Sequence, residues 1–483
     1  YQYDTFDRLL QEEFYRGNSL TQTKVYLYNG EGELAETALY NGEVSAANEQ
    51  QRYRYEYDSL GRVICSQEIA NGALRQGTET LYDDANRVKK QSWSLFQTED
   101  GKTTTKTYTG RYTYNTGNGT MSTADFGTGR TATFAYDNLQ RLTSETMAGL
   151  YTKNYTYRDI SSTRTTTQIA SESYTGLCAG WSNRTASYTY DAMGNIATIT
   201  GPYKNKNSVQ RTYTYDAQNQ LLSEKIGSDT TSYTYDTAGN IRSISGPSVS
   251  KSFSYNDSGD WKDLLIGVTV NGTTRSITYE EENGVTIGNP LSYFNGTQYT
   301  LAWQNGRQLA SLSGGGKSAT YTYGADGIRT GKTVTDASGT TTYQYTTQNG
   351  QIDRQSWTAG GTAYQMDFIY DAAGRPLSMY YRTKAAGQTD FNGDSYYYET
   401  NQQGDVTGLY KITYNATTKA LTATRVASYE YDAWGNVTCS TGTMAKINPL
   451  KYRGYYHDAE TGFYYLQSRY YDPAIGRFVN ADG

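Results

Sequence analysis

Tyr233-Thr234-Tyr235-Asp236-Thr237-Ala238-Gly239-Asn240-Ile241 is the stretch whose chemistry decides the fold. Alternation of Tyr with Thr has period two, which places both rings on one face of an extended strand. Asp236 suits the first position of a type I turn, where its carboxylate accepts from backbone N–H groups. Gly239 supplies the positive φ that a following bulge needs. The chain then returns as Ile241-Arg242-Ser243-Ile244-Ser245. The unit is a β-hairpin, and hairpins adjacent in sequence are expected to be adjacent in the sheet.

The same phrase, Y-x-Y-D-x-x-G-R/N, recurs in clear and degraded copies. It stands at Tyr1–Arg8, Tyr55–Arg62, Phe134–Arg141, Tyr188–Asn195 and Tyr213–Gln220, and again at Phe253–Asp260, Tyr321–Ile328, Phe368–Arg375 and Tyr429–Asn436. Asn86 and Asn219 replace the Gly in two copies, the substitution expected where the backbone is left-handed. Residues 261–307 and 396–406 lose the phrase but keep turn chemistry such as Asn271-Gly272 and Asn305-Gly306, and read as antiparallel β as well. No helical period of useful length appears. The fold class is all-β, built of repeated antiparallel β-hairpins, about 15 of them and so roughly 30 strands. The aromatic and acidic residues of the phrase read as structural, a ring ladder with a turn cap.

Composition agrees with a thin repeated sheet. Tyr supplies 51 residues against 11 Phe and 6 Trp, and Gly 49. A tyrosine ring buries a large area while its hydroxyl keeps a hydrogen bond, so it can serve a sheet that is wet on one side. Net charge is −5 with no basic run, which leaves no electrostatic footprint for nucleic acid. No apolar run approaches the ~20 residues of a membrane-spanning helix. Cys65, Cys178 and Cys439 are far apart and lack metal spacing, so no metal and no cofactor is expected. The chain opens in mid-repeat at Tyr1-Gln2-Tyr3-Asp4, as a piece of a longer protein would.

Several chemistries are removed by what is missing. His457 is the sole histidine, so HExxH zinc sites are impossible and a Ser-His-Asp triad has one possible base. Ser313-Gly314-Gly315-Gly316-Lys317-Ser318 superficially matches a phosphate loop, but Ser311 stands where that pattern needs Gly and a strand follows rather than a helix. It reads as a hairpin turn. No pair of carboxylates is singled out for glycoside hydrolysis.

The last 32 residues break the repeat: YRGYYHDAETGFYYLQSRYYDPAIGRFVNADG, Tyr452 to Gly483. Tyr452, Arg453, Gly454, Asp458, Gly462, Arg469, Tyr470, Tyr471, Asp472, Pro473, Gly476, Arg477 and Phe478 make up a dense aromatic and charged motif. This resembles the core motif of the Rhs/YD-repeat family of bacterial toxins, whose relatives include the C components of Tc toxins and, more distantly, the teneurins. The resemblance implies two parts, a YD/Rhs-repeat β-shell over 1–445 and the core motif over 446–483. It implies that the repeats wind into a spiral, hollow β-sheet shell. In the family the segment beyond the core is cut by the protein itself through acidic residues, and the final Asp of the family's Gly-Arg-Phe phrase matches Asp482, after Gly476-Arg477-Phe478. The family usually has Pro next, where this chain has Gly483. The second aspartate and the cut bond would lie downstream of Gly483, so this chain alone is expected to be inactive in self-cleavage. Asp458 and Asp472 read as structural, as turn caps or partners of Arg453, Arg469 and Arg477.

The function implied is a secreted or cell-surface bacterial polymorphic toxin. Its shell would hold a C-terminal toxin domain of the same polypeptide, possibly completed by further shell-forming segments, with no activity on outside substrates. The alternative from a different class is a surface adhesion or glycan-binding module using the same tyrosine-rich sheet.

Overall fold

The computed structural model describes residues 1–99, 102–204, 206–259, 261–348 and 350–481. Among them are 41 β-strands and a single 3-10 turn at Tyr452–Gly454. The strands form sheets of 23, 14 and 4 members, in which each strand is hydrogen-bonded antiparallel to its neighbours in sequence. Neither large sheet closes on itself among the described residues. The hairpin of Leu265–Val270 with Thr273–Ser276 bears out the β reading of the segment without the YD phrase, and the tail adds four short strands to the count.

The repeat's chemistry is visible atom by atom. Asp236 Oδ1 accepts from the N–H of Ala238 at 3.0 Å and of Asn240 at 2.9 Å. Gly239 has φ +87°, and Asn86 and Asn219 hold the same left-handed turn at +61° and +65°. The residue that ends the phrase closes the loop on the other carboxylate oxygen, as Arg141 Nε does to Asp137 at 2.7 Å and Asn195 Nδ2 to Asp191 at 3.0 Å. The Arg62 hydrogen bonds hold the Asp58 carboxyl below its usual range, and Arg87 and Arg141 do the same for Asp83 and Asp137.

Each unit is also tied to the one before it. The hydroxyl of the tyrosine preceding the turn donates to a carbonyl at the start of the previous return strand. Tyr215 reaches Ile196 at 3.0 Å, Tyr235 reaches Leu221 at 2.7 Å and Tyr255 reaches Ile241 at 2.9 Å. The arginine that closes one turn lies over the next such ring, Arg62 at 4.5 Å from Tyr82 and Arg141 at 4.2 Å from Tyr157. The sequence reading anticipated the ring ladder and the cap but not this arginine, whose signal was the R of the G-R step.

By contacts the chain divides into two units. The first comprises Tyr1–Phe134, Tyr321–Lys332 and Tyr343–Ser356. In it Leu39, Tyr53 and Ala325 share a core, and Gln51 bridges two segments by accepting from Ala325 N at 2.8 Å and donating to Glu68 at 2.7 Å. Burial pushes the Glu68 carboxyl up to about 8.

The second unit comprises Ala135–Thr320, Thr333–Thr342 and Trp357–Gly483. Here sheet faces pack on one another. Trp181 stacks on Tyr410 with centroids 4.1 Å apart and planes 13° apart. Gly180 lies where an added Cβ would sit 1.9 Å from the Ala423 carbonyl oxygen, so glycine is what lets the two backbones approach. Beside this contact the fully buried Glu399 receives Arg184, Arg425 at 3.2 Å and Thr407 at 3.0 Å. Burial alone would raise that carboxyl, and the two guanidiniums hold it below its ordinary value.

Candidate functional site: the core motif

The tail begins where its backbone clips onto a strand start. Val406 N donates to Lys451 O at 3.0 Å, and Arg453 N donates to Asp405 Oδ1 at 3.0 Å. The Arg453 side chain follows, reaching Gln403 O at 2.9 Å and lying 3.6 Å from the Asp405 carboxylate. Arg453 itself has φ +54° inside the 3-10 turn. Gly454, next in the motif, could not carry a side chain, because a Cβ would sit 2.7 Å from Pro376.

The motif then clasps the last YD turn, Asp432 to Asn436. The Tyr452 ring lies against Gly435, where a Cβ would meet it at 2.6 Å. Tyr464 hydroxyl donates to Gly435 O at 3.0 Å and Tyr471 hydroxyl to Trp434 O at 2.8 Å. Asn436 Nδ2 returns to Pro473 O at 2.6 Å. The Asn that closes the repeat phrase thus also bonds the motif.

Four short strands, Tyr456–His457, Tyr464–Leu466, Arg469–Asp472 and Arg477–Phe478, pair among themselves in the third sheet. Asp458 opens the first turn: its carbonyl accepts from Thr461 N at 3.2 Å and Gly462 N at 2.7 Å, and Gly462 has φ +81°. Asp458 is fully buried and Glu460 nearly so. Asp472 is 1% exposed. It caps Ala474 N at 2.8 Å and accepts from Tyr293 hydroxyl at 3.0 Å and Asn295 Nδ2 at 2.8 Å, with burial raising its carboxyl above the ordinary range. Lys251 Nζ donates to Ala474 O.

The motif's arginines find partners on several segments. Arg453 pairs with Asp405, outside the motif. Arg477 donates to Tyr255 hydroxyl at 2.7 Å, and Arg469 lies 3.7 Å over the Phe478 ring. His457 packs edge-on to Tyr464 with its Nδ1 3.1 Å from Lys451 Nζ, and burial lowers that amine to about 8. Asp482, the residue the sequence singles out for cleavage, lies outside the described residues. Just before it, Ala481 N donates to Gly288 O at 3.1 Å, and among the described residues the buried Asn480 has neither side-chain amide atom hydrogen-bonded. Sequence reasoning gave no weight to Asn480 or Asp405, since neither carries a local signal.

No protein-family profile matches the sequence. Among curated proteins, the chain is 30% identical over 330 residues to the tRNA nuclease WapA of Bacillus subtilis, which covers 61% of this chain and 13% of that protein. It is 32% identical over 189 residues to the tRNA3(Ser)-specific nuclease WapA of Bacillus spizizenii, covering 38% of this chain and 7% of that one. The chain therefore spans a small fraction of the length of these relatives. Among solved structures, the TcdB2-TccC3-TEV crystal structure matches with TM-score 0.55 and 16% identity over 95% of this chain and 26% of that chain. The Photorhabdus luminescens Tc holotoxin pore matches with TM-score 0.54 and 17% identity over 97% and 26%. These similarities support the resemblance to the Rhs/YD-repeat family. The chain's antiparallel hairpin sheet resembles the Rhs shell of the Tc toxin component TccC3.

Proposed function

We propose that these 483 residues are the repeat shell and core of a polymorphic toxin, which enclose a toxin domain following in the same polypeptide. In this reading residues 1–445 supply the shell wall, and 446–483 mark its C-terminal end. Release is by aspartyl self-cleavage beyond Gly483, with Asp482 as one of the two carboxylates. One activates water while the other donates a proton, a division of labour that two nearby carboxyls acquire when they share a proton. The protein acts outside the cytoplasm, secreted or at the bacterial cell surface.

The observation that carries the reading is the anchoring of the core motif. From Lys451 to Ala481 it is held by partners far apart in sequence, Asp405, Trp434, Tyr293, Tyr255 and Gly288 among them. A segment fixed at this many points delivers the backbone before Asp482 to one place. Geometry of that kind is what an intramolecular cleavage requires. The relatives' printed names, tRNA nucleases, fit a toxin domain carried in the same polypeptide.

Intact-mass analysis of the chain extended with its natural downstream segment, beside the Asp482→Asn version, tests this. Two fragments from the parent and one species from the variant are expected. A single uncut species from both sinks the self-cleavage; cleavage in both removes Asp482 from the mechanism.

A further inference from the structure

Residues 261–307, which lose the repeat phrase, supply much of what the core motif rests on. Tyr293 hydroxyl and Asn295 Nδ2 hold the buried Asp472. The Phe463 ring lies 5.8 Å from that of Tyr293 and 5.7 Å from that of Tyr299. Gly288, on the same strand as Tyr293, accepts from Ala481 N at 3.1 Å. The stretch that departs from the repeat thus meets the tail at Phe463 and Asp472, and again one residue before Asp482.

Gly288 lies in a β-bulge. Tyr279 pairs with Pro290 and Glu281 with Thr286, so residues 287–289 face Glu280 alone. Bulges lift backbone out of the ladder and re-aim it, and they are over-represented next to active sites. Here the bulge carbonyl is the one that takes Ala481 N. Gly288 has φ +76°, and a Cβ added there would sit 2.5 Å from Ala481 Cβ and 2.7 Å from Trp261 Cη2. Carbon atoms in ordinary contact stand about 3.5–4.0 Å apart. Glycine is therefore what lets the tail press this close, with the Trp261 ring against the same spot. Val479 N is held as well, by Tyr470 O at 2.8 Å, so the chain is fixed at alternate residues up to the position before Asp482.

We propose that Gly288 is a positioning residue for the self-cleavage, its bulge and the neighbouring Trp261 setting where the backbone enters Asp482. The inference rests on the self-cleavage reading above, and it gives the 261–307 departure from the repeat a task in the cut. A methyl at Gly288 must push Ala481 away by about 1 Å to restore ordinary contact. A displacement of that size beside a reacting group costs on the order of 100-fold in rate. Gly284, at the tip of the hairpin that leads into the same strand, is a control built into the fold. It has φ +78° and nothing within 4 Å of an added Cβ, so Gly284→Ala carries a strained backbone without the collision.

Intact mass followed over time, on the chain extended with its natural downstream segment, tests it. Gly288→Ala is expected to slow the appearance of the two fragments about 100-fold, while Gly284→Ala stays near the parent rate. In an Ala481→Gly background, which lacks the colliding methyl, Gly288→Ala should slow cleavage far less than it does in the parent. A hairpin that is merely destabilised shows no such coupling. Thermal melts of the same variants carrying Asp482→Asn report whether they fold. Where Gly288→Ala does not, Trp261→Ala probes the slot from a ring that is 37% exposed, and about tenfold slower cleavage is expected. An uncut parent sinks the self-cleavage reading and this inference with it. A parent that is cut, with folded Gly288→Ala cut equally fast, overturns this inference alone. So does Gly284→Ala slowing cleavage as much as Gly288→Ala, an undiminished effect in the Ala481→Gly background, or, where Gly288→Ala is unfolded, Trp261→Ala at the parent rate.

Discussion

Asp58 and Asp472 are the same residue in two settings. Asp58 ends a tyrosine-alternating strand, holds Leu60 N and Arg62 N within its own turn, and has solvent at its flank. Asp472 follows Tyr470-Tyr471 and is buried, and two of its three donors, Tyr293 and Asn295, come from 179 and 177 residues earlier. The repeats are stabilised by nearest neighbours, one hairpin at a time, as in other linear repeat proteins. The tail is stabilised by single contacts that no other position reproduces. Loss of a repeat acid is therefore local and interchangeable, whereas loss of a tail acid strands partners elsewhere in the fold.

The sharpest way to break the contrast is Asp472→Ala. It leaves Tyr293 hydroxyl, Asn295 Nδ2 and Ala474 N without their acceptor, and a loss of about 3–5 kcal/mol is expected in urea denaturation. A loss under about 1 kcal/mol would place Asp472 with the repeat acids.

Glu68 asks whether a repeat strand can carry a buried acid of the second kind. Its unfolded carboxyl ionises near the model-compound value 4.5, while the folded one keeps its proton to about 8. Between those values the folded state binds the extra proton, so stability falls as pH rises across the interval. Glu68→Gln removes that slope. It should raise stability by a few kcal/mol at about pH 9 and change nothing near pH 4, read from thermal melts across pH.

Smaller effects belong to the repeat cement. Asp58→Ala, Asp137→Ala and Asp191→Ala should each lower stability by less than Asp472→Ala, alike among themselves and additive in combination because the turns are far apart. Unequal costs in denaturation would show that the hairpins are not interchangeable. Tyr235→Phe removes the 2.7 Å bond to Leu221 O and should cost about 0.5–1.5 kcal/mol.

What the sequence made legible follows the same divide. The turn at Asp236, the left-handed positions at Asn86 and Asn219, and the hairpin at Ser313–Ser318 depend on residues within a few positions, and local chemistry dictates them. The arrangement of Arg141 over Tyr157 spans one repeat, and only the letter R hinted at it. Trp181 on Tyr410 and Asp405 beneath Arg453 join segments without a common period, so nothing in either segment announces the other. The tail could be recognised as a departure from the repeat, but its clasp on the Asp432 turn depends on where the second sheet carries that turn.

The ladder of tyrosine hydroxyls has a mechanical consequence. Tyr215, Tyr235 and Tyr255 each grip the hairpin before their own, so a pull on one end loads a single hydroxyl and a single strand pairing at a time. Such a wall peels like a zipper, yielding about 70 Å of slack for each 20-residue unit released. The tail, pinned at once to Tyr293, Tyr255 and Trp434, is loaded in shear across several attachments and resists as a knot would. A tug on the wall frees chain in even steps, and a tug on the tail holds until it gives way whole.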